Sequence, residues 1–215
     1  MGDLQLDEVF KDSPAIDLVW AIEHGDLGAV REELEKGIDP NAKGRSGITP
    51  VWWAVSRDKK SITRELLKSG GDPNVAPSKS RTTMEIASSR SDLRMLELLL
   101  ENGGDVELPD ASNGRRPLHG AAMMQNLDAL EILLAYGADI ESKTNHGYTP
   151  LIFSIMGNAY DSALFLIESG ASLTAVSYNG TTVKEFAMRK RMDPKSNGAK
   201  KRALLIELYE KALGE

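Results

Sequence analysis

The sequence predicts an all-α protein: a solenoid of stacked helix-turn-helix units joined by hairpin-like loops. Two landmarks carry that prediction. Gly37-Ile38-Asp39, Gly70-Gly71-Asp72, Gly103-Gly104-Asp105, Gly137-Ala138-Asp139 and Gly170-Ala171-Ser172 lie 33, 33, 34 and 33 residues apart, each closing a leucine-rich stretch. Out of phase with them run Thr49-Pro50-Val51, Thr82-Thr83-Met84, Arg116-Pro117-Leu118, Thr149-Pro150-Leu151 and Thr182-Val183-Lys184, spaced 33, 34, 33 and 33. Two landmarks held in fixed phase define a repeated structural unit. A third observation is the apolar pattern between them, two short helical stretches per repeat, which a single unit cannot bury without a neighbour on either side.

Taken in order, residues 1–15 form a polar lead-in ending at Pro14, and residues 16–215 form one repeat domain. The first unit, 16–43, opens with Ile16 to Glu23 and continues with Leu27 to Leu34; it lacks the Thr-Pro entry, as an end cap can. Full units follow at 44–76, 77–109, 110–143 and 144–176. In the last of these Asn145-His146-Gly147 is turn chemistry, Thr149 is a good N-cap, and Pro150 suits the first helical position because its missing amide hydrogen would be unpaired there anyway. Gly157-Asn158 breaks the helical pattern and Gly170 suits the left-handed position that ends a helix. Unit 77–109 departs most, with Thr83 where the others have proline, so a less rigid entry is expected. The final unit, 177–215, carries an insertion near 192–199, rich in turn formers and expected to be an exposed loop, before a closing helix from Lys200 to Leu213.

Composition excludes several classes. At 215 residues, 41% hydrophobic and 27% charged, the chain is an ordinary folded protein rather than a disordered one. No run approaches the ~18 apolar residues of a membrane span, and the acidic start lacks a secretory signal, so a cytoplasmic protein without membrane insertion is expected, or a periplasmic one if a signal peptide has been removed. With no cysteine there is neither a disulfide nor a thiolate metal site. The net charge of −6 is unevenly spread. Residues 1–40 and 91–183 are acidic, while 41–90 carry 10 bases against 4 acids and 184–215 carry 9 against 5.

The pattern GxTPLHxAA, a break, an apolar second helix and LLxxGADxNA resembles the ankyrin repeat from residue 16 to about 190. It is closest in Gly114-Arg115-Arg116-Pro117-Leu118-His119-Gly120-Ala121-Ala122, closing with Leu133-Leu134-Ala135-Tyr136-Gly137-Ala138-Asp139-Ile140. The resemblance implies that His119 orders the entry turn and that partners bind a concave face built from hairpin tips and first helices. It further implies a non-catalytic role, with no cofactor and no metal.

The residues agree on catalysis. His24 sits at a turn before Gly25, His146 falls on a hairpin tip, and none of the three histidines has the neighbours of a zinc site. Ser56-Arg57-Asp58-Lys59 fits the SxxK spacing, but its companion motifs are missing; Asn179-Gly180-Thr181 fits a glycosylation acceptor but coincides with the repeat's turn glycine.

Function is therefore expected among residues that the repeat leaves free. Arg45, Arg57, Lys79, Arg81, Arg90 and Arg115 make the first half of the tip and first-helix surface basic, and Met123, Met124, Tyr148, Met156 and Tyr178 make its second half apolar and aromatic. Ile48 and His146 are also tip residues. Trp52 replaces the repeat's histidine and Trp53 follows it; one is expected in the core and the other as a contact, since tryptophan serves both roles. Such a surface suits a protein partner with an acidic patch beside an apolar one, bound by a monomer. Nucleic acid is disfavoured by the acidic chain and the few aromatics among its basic residues. The short array, its cap from Ala21 to Lys43, the Thr-Pro-Val-Trp-Trp-Ala entry and the interrupted last unit look like small bacterial ankyrin proteins. That likeness implies an immunity protein neutralising a secreted toxin or effector, with a scaffold or adaptor as the alternative and a hydrolase as the remote one.

Overall fold

A computed structural model of the chain describes residues 6–189 and 195–214. Among these are thirteen α-helices and, in place of strands, one isolated antiparallel bridge between Val176 and Thr182. The helices fall into two compact units. The first, Met1–Ala87 with Asp92–Ser112, holds α1 (Leu6–Phe10), α2 (Ile16–His24), α3 (Leu27–Glu35), α4 (Pro50–Ser56), α5 (Lys60–Lys68), nearly all of α6 (Thr83–Ser88) and α7 (Arg94–Glu101). The second, Ser88–Ser91 with Asn113–Glu215, holds α8 (Pro117–Met123), α9 (Leu127–Ala135), α10 (Pro150–Met156), α11 (Tyr160–Glu168), α12 (Val183–Met188) and α13 (Asn197–Leu213).

Each expected helix pair is present, and local chemistry starts the helices where the motif places them. The Thr49 hydroxyl accepts from the Trp52 amide at 3.2 Å and Thr149 from Ile152 at 3.4 Å, with Pro50 and Pro150 opening the helices that follow. Thr83, standing where proline is usual, is held by its own hydroxyl, which donates to the Pro73 carbonyl and accepts from the Val75 amide. The closing helix begins at Asn197, earlier than the expected Lys200, because Ser196 caps it through the Ala199 amide at 3.1 Å. The expected loop at 192–199 thus ends in a turn and the first residues of a helix, and its part at 192–194 lies outside the described residues.

Packing follows from the two helix types. In α4 Pro50 to Val55 are all buried, and in α8 Pro117 to Ala122 are, because each is covered by its own second helix and by a neighbouring first helix, α2 for α4 and α10 for α8. The second helices α5 and α9 bury one stripe only, Ile62 and Leu66 in the one and Leu130 and Leu133 in the other, and leave the other side to solvent. Each fully buried Leu or Ile contributes about 1.5–3 kcal/mol.

Polar staples set the register between repeats. Asn41 Nδ2 donates to the Gly70 carbonyl at 2.9 Å while its Oδ1 accepts from the Asp72 amide at 2.7 Å; Asn74 repeats this with Gly103 at 3.0 Å and Asp105 at 2.7 Å. In the second unit Glu141 fills that place and accepts from the Ser172 amide at 2.7 Å. The Asp of each Gly-x-Asp turn holds its own loop, as when Asp72 Oδ1 accepts from the Asn74 amide at 2.8 Å.

The lead-in is less polar in its effect than its composition suggests. Its residues 6–10 are helical, Val9 and Phe10 are buried, and the Phe10 ring meets Trp53 edge-on at 5.9 Å. Gly44 permits that approach: a Cβ there would lie 2.7 Å from the Val9 carbonyl oxygen.

The turn between the two helices passes through a left-handed residue in four of the repeats. Gly25 supplies it in the first repeat (φ 73°), but Asp58, Gln125 and Asn158 do so at φ 56°, 56° and 59°. A non-glycine residue there costs roughly 1–2 kcal/mol, partly returned by the lower chain entropy of a side-chain residue. Gln125→Gly is therefore expected to stabilise the protein by about 0.5–1 kcal/mol, as read from urea unfolding; a lower midpoint in the variant would contradict the assignment.

Candidate protein-interaction surface

The hairpin tips are built by backbone pairing within each unit. The Ser78 amide donates to the Ser46 carbonyl at 2.9 Å in the first; in the second Asn145 donates to Asn113 at 2.9 Å and Tyr178 to His146 at 3.1 Å. These bonds bring the side chains of successive tips together. In the first unit they make exposed Arg45 and Lys79 neighbours, with half-buried Arg81 at the base of its tip. In the second, His146 stacks on Tyr148 at 5.6 Å, Tyr148 meets Phe186 edge-on at 5.6 Å, and Tyr178 stands 70% exposed. Asn145, His146, Tyr148, Tyr178 and Asn179 line a shallow groove of about 300 Å³. Gly147 is required beneath it, since with φ 76° it passes 2.7 Å, measured from an ideal Cβ, from the Tyr178 amide nitrogen.

First-helix ends complete the surface. Met124 is 55% exposed and Met156 38%, with Met123 half-buried beside them. Met188, 63% exposed at the end of α12, belongs to the same set and was not among the residues expected from sequence. The signal that would have found it is the methionine ending each of α8, α10 and α12; strict register points one residue further, to Arg189.

Three expected contacts are corrected. Ile48, Trp52 and Trp53 are 2%, 2% and 1% exposed and belong to the core. Trp52 Nε1 donates to the Arg81 carbonyl at 2.7 Å. His119, its counterpart in the repeat, likewise reaches the Tyr148 carbonyl through Nε2 at 3.0 Å, so indole and imidazole make the same bond to the following repeat. Trp53 Nε1 donates to Glu23 Oε2 at 2.7 Å.

Arg57 is drawn into the same cluster. Its Nε donates to Glu23 Oε2 at 2.9 Å and its guanidinium lies 4.7 Å from the Trp53 ring centre, so it ties α4 to α2. Partial burial works against the Glu23 charge, but the hydrogen bonds from Arg57 and Trp53 outweigh it and hold the carboxyl below its ordinary value. Arg90 and Arg115 are half-buried and lie in the second unit, and the Arg90 carbonyl accepts from Asn126 Nδ2 at 2.6 Å.

The Ser56 hydroxyl donates to the Trp53 carbonyl at 2.8 Å, so the SxxK serine is engaged with its own helix. Asn179 Oδ1 accepts from Ser177, Thr181 Oγ1 and the Thr181 amide, which makes it a turn former. Among the described residues no group of three His, Asp or Glu side chains is placed to hold a metal, and no helix is long and apolar enough to cross a membrane.

A family model for ankyrin repeats, in three copies, matches residues 18–110 and again 84–177. Among curated proteins the chain is similar to protein phosphatase 1 regulatory subunit 27 of Homo sapiens, 35% identical over 68 residues, covering 32% of this chain and 44% of that protein. It is also similar to the NF-kappa-B inhibitor cactus of Drosophila melanogaster, 37% identical over 78 residues, covering 35% of this chain and 16% of that one. The matched part spans less than half the length of either relative.

His119 gives this surface's support a pH dependence. Burial pushes its imidazole down from 6.5 to about 4; the geometry agrees, because Nδ1 accepts from the Arg116 amide at 3.2 Å and has no room for a proton. The unfolded chain therefore takes up the proton first, so the His119 contribution is intact above about pH 6.5 and is withdrawn as pH falls toward about 4, by roughly 3 kcal/mol. In urea unfolding, the stability gap between the native protein and His119→Gln is expected to shrink over that window; a constant gap would contradict the neutral, doubly bonded imidazole.

Proposed function

Because the chain belongs to the ankyrin-repeat family, we propose that it is a non-catalytic protein-binding module, acting as a monomer and holding its partner with hairpin tips and first helices. Ankyrin repeats imply a protein partner. The observation that carries the rest is how residues are sorted. Those that recur, such as Thr149, Pro150, Asn74 and His119, are spent on caps and inter-repeat bonds, whereas Arg45, Lys79, His146, Tyr178 and Met124 vary from repeat to repeat and are exposed. A basic tip pair and an aromatic groove suit a partner with carboxylates and apolar side chains, and exposed charges of this kind make association salt-dependent.

The relatives' names, an inhibitor and a regulatory subunit, support a partner that is controlled by being covered. In its most specific form the proposal is a bacterial immunity protein that occludes a secreted toxin or effector, supported by the likeness of the cap and interrupted last repeat to small bacterial ankyrin proteins. Its test is rescue: cells expressing a toxin encoded beside this chain survive when it is co-expressed, and death despite equal expression would overturn that form.

For the module itself, the partner captured by the native protein is titrated against Arg45→Glu/Lys79→Glu and Tyr178→Ala. Each is expected to weaken binding about tenfold, near 1.4 kcal/mol, without lowering thermal stability. Unchanged affinity in both would overturn the tip assignment.

A further inference from the structure

Burial of Val9 and Phe10 fixes the lead-in beside the first hairpin tip, and between the two lies a hollow of about 400 Å³. Glu8, Lys11, Asp12 and Ser13 line it from the lead-in, and Lys43 and Arg45 line it from the tip. Packing holds the two sides together, since a Cβ on Gly44 would lie 2.7 Å from the Val9 carbonyl oxygen and 2.9 Å from the Phe10 ring. A second hollow of about 450 Å³ runs on from Lys43 to Asn74 and Ala76, three residues before Lys79. Lys43 lines both, so the two hollows form one track along the tips of the first unit.

The cations along this track hold no carboxylate. On the helices of the same unit Arg31 pairs with Glu65, Lys36 with Glu33, Arg57 with Glu23, Lys60 with Asp58 and Asp92, and Arg94 with Asp92, at 2.5–3.2 Å. Lys11, Lys43, Arg45 and Lys79 are exposed and form no ion pair among the described residues. Glu8 and Asp12 line the first hollow without pairing with any of them. In the second hollow Asp72 is turned to its own loop, where its Oδ1 accepts from the Asn74 amide at 2.8 Å.

We propose that this track binds an acidic segment of the partner in extended conformation, laid from the lead-in hollow across Lys43 toward Lys79. An extended chain turns successive side chains to opposite sides, so carboxylates at alternate positions all face one way, about 6.6 Å apart. They meet Lys11, Lys43, Arg45 and Lys79 in charge-assisted hydrogen bonds, the stronger kind. The backbone of the same segment carries N–H groups that can donate to Glu8 and Asp12. Phosphodiesters have no donor to offer those carboxylates and would meet Glu8, Asp12 and Asp72 with like charge, so the lining favours a peptide over a nucleic-acid strand. Lys11 thereby makes the lead-in part of the binding surface. This proposal rests on the reading of the chain as a protein-binding module and adds the lead-in and Lys43 to its basic tip pair.

The test uses the full chain labelled with nitrogen-15 and a synthetic peptide of about ten residues that alternates glutamate with threonine. The amide signals of Ser13, Gly44 and Arg45 are expected to shift together on titration, while those of α9 stay in place. Replacing the glutamates by glutamine is expected to weaken binding at least tenfold, as are Lys11→Glu and Lys43→Glu, each with unchanged thermal stability; Lys43→Arg keeps it, and added salt weakens it. No shift at these amides, equal affinity for the glutamine peptide, or tighter binding of a single-stranded DNA of equal charge overturns the proposal. The natural partner separates the two readings. If its binding survives Lys11→Glu with Lys43→Glu but falls with the tip variants, this track is wrong and the module stands; if neither set weakens it, the module's assigned face is wrong as well.

Discussion

A helix pair with apolar sides cannot close its own core, and that constraint organises this chain. Every repeat buries its first helix only by accepting a neighbour, so position along the stack matters more than any local preference. The chain meets the requirement twice over. Apolar side chains such as Leu118, Ala121 and Leu151 fill the space between adjacent first helices, and directional bonds fix the register. A slip at one interface would break both bonds of its asparagine together, as for Asn41 or Asn74, whereas apolar contacts alone would tolerate small displacements.

The equivalence of Trp52 and His119 shows how narrowly this constraint acts on chemistry. What the position needs is an N–H aimed at the carbonyl of the next repeat, 2.7 Å away in one case and 3.0 Å in the other. Either ring can supply it. The larger indole also fills volume, and beside it Trp53 joins Phe10 and the Glu23–Arg57 pair into one cluster at the start of the stack. Arg57 is thereby a linking residue between repeats, although by charge alone it reads as part of a basic surface.

That difference explains what could be read from sequence. Helix pairs, caps and turns were legible because each depends on residues close in the chain: Thr149 before Pro150, Gly170 after Glu168, Asp72 before Asn74. The fates of Trp52 and Trp53 depended on partners about 30 residues away or on the lead-in, and nothing local marks them as core. The helix at Leu6–Phe10 was missed for the same reason: it lies outside the repeat motif, and its Val9 and Phe10 are buried against residues far along the chain. Within the candidate surface, exposed charges and aromatics at the tips were legible as positions the repeat leaves free; Met188 escaped because α12 begins in register at Val183 but ends one residue short of it.

The resulting division of labour is between a frame that repeats and a surface that does not. Second helices α9 and α11 carry the acidic, solvated side, and tips with first-helix ends carry the methionines, tyrosines and arginines. Amide hydrogen exchange of the chain, free and bound to its natural partner, tests that division most directly. New protection is expected at residues 145–148, 178–179 and the ends of α8, α10 and α12, with α9 and α11 unchanged; protection confined to α9 and α11 would contradict that division.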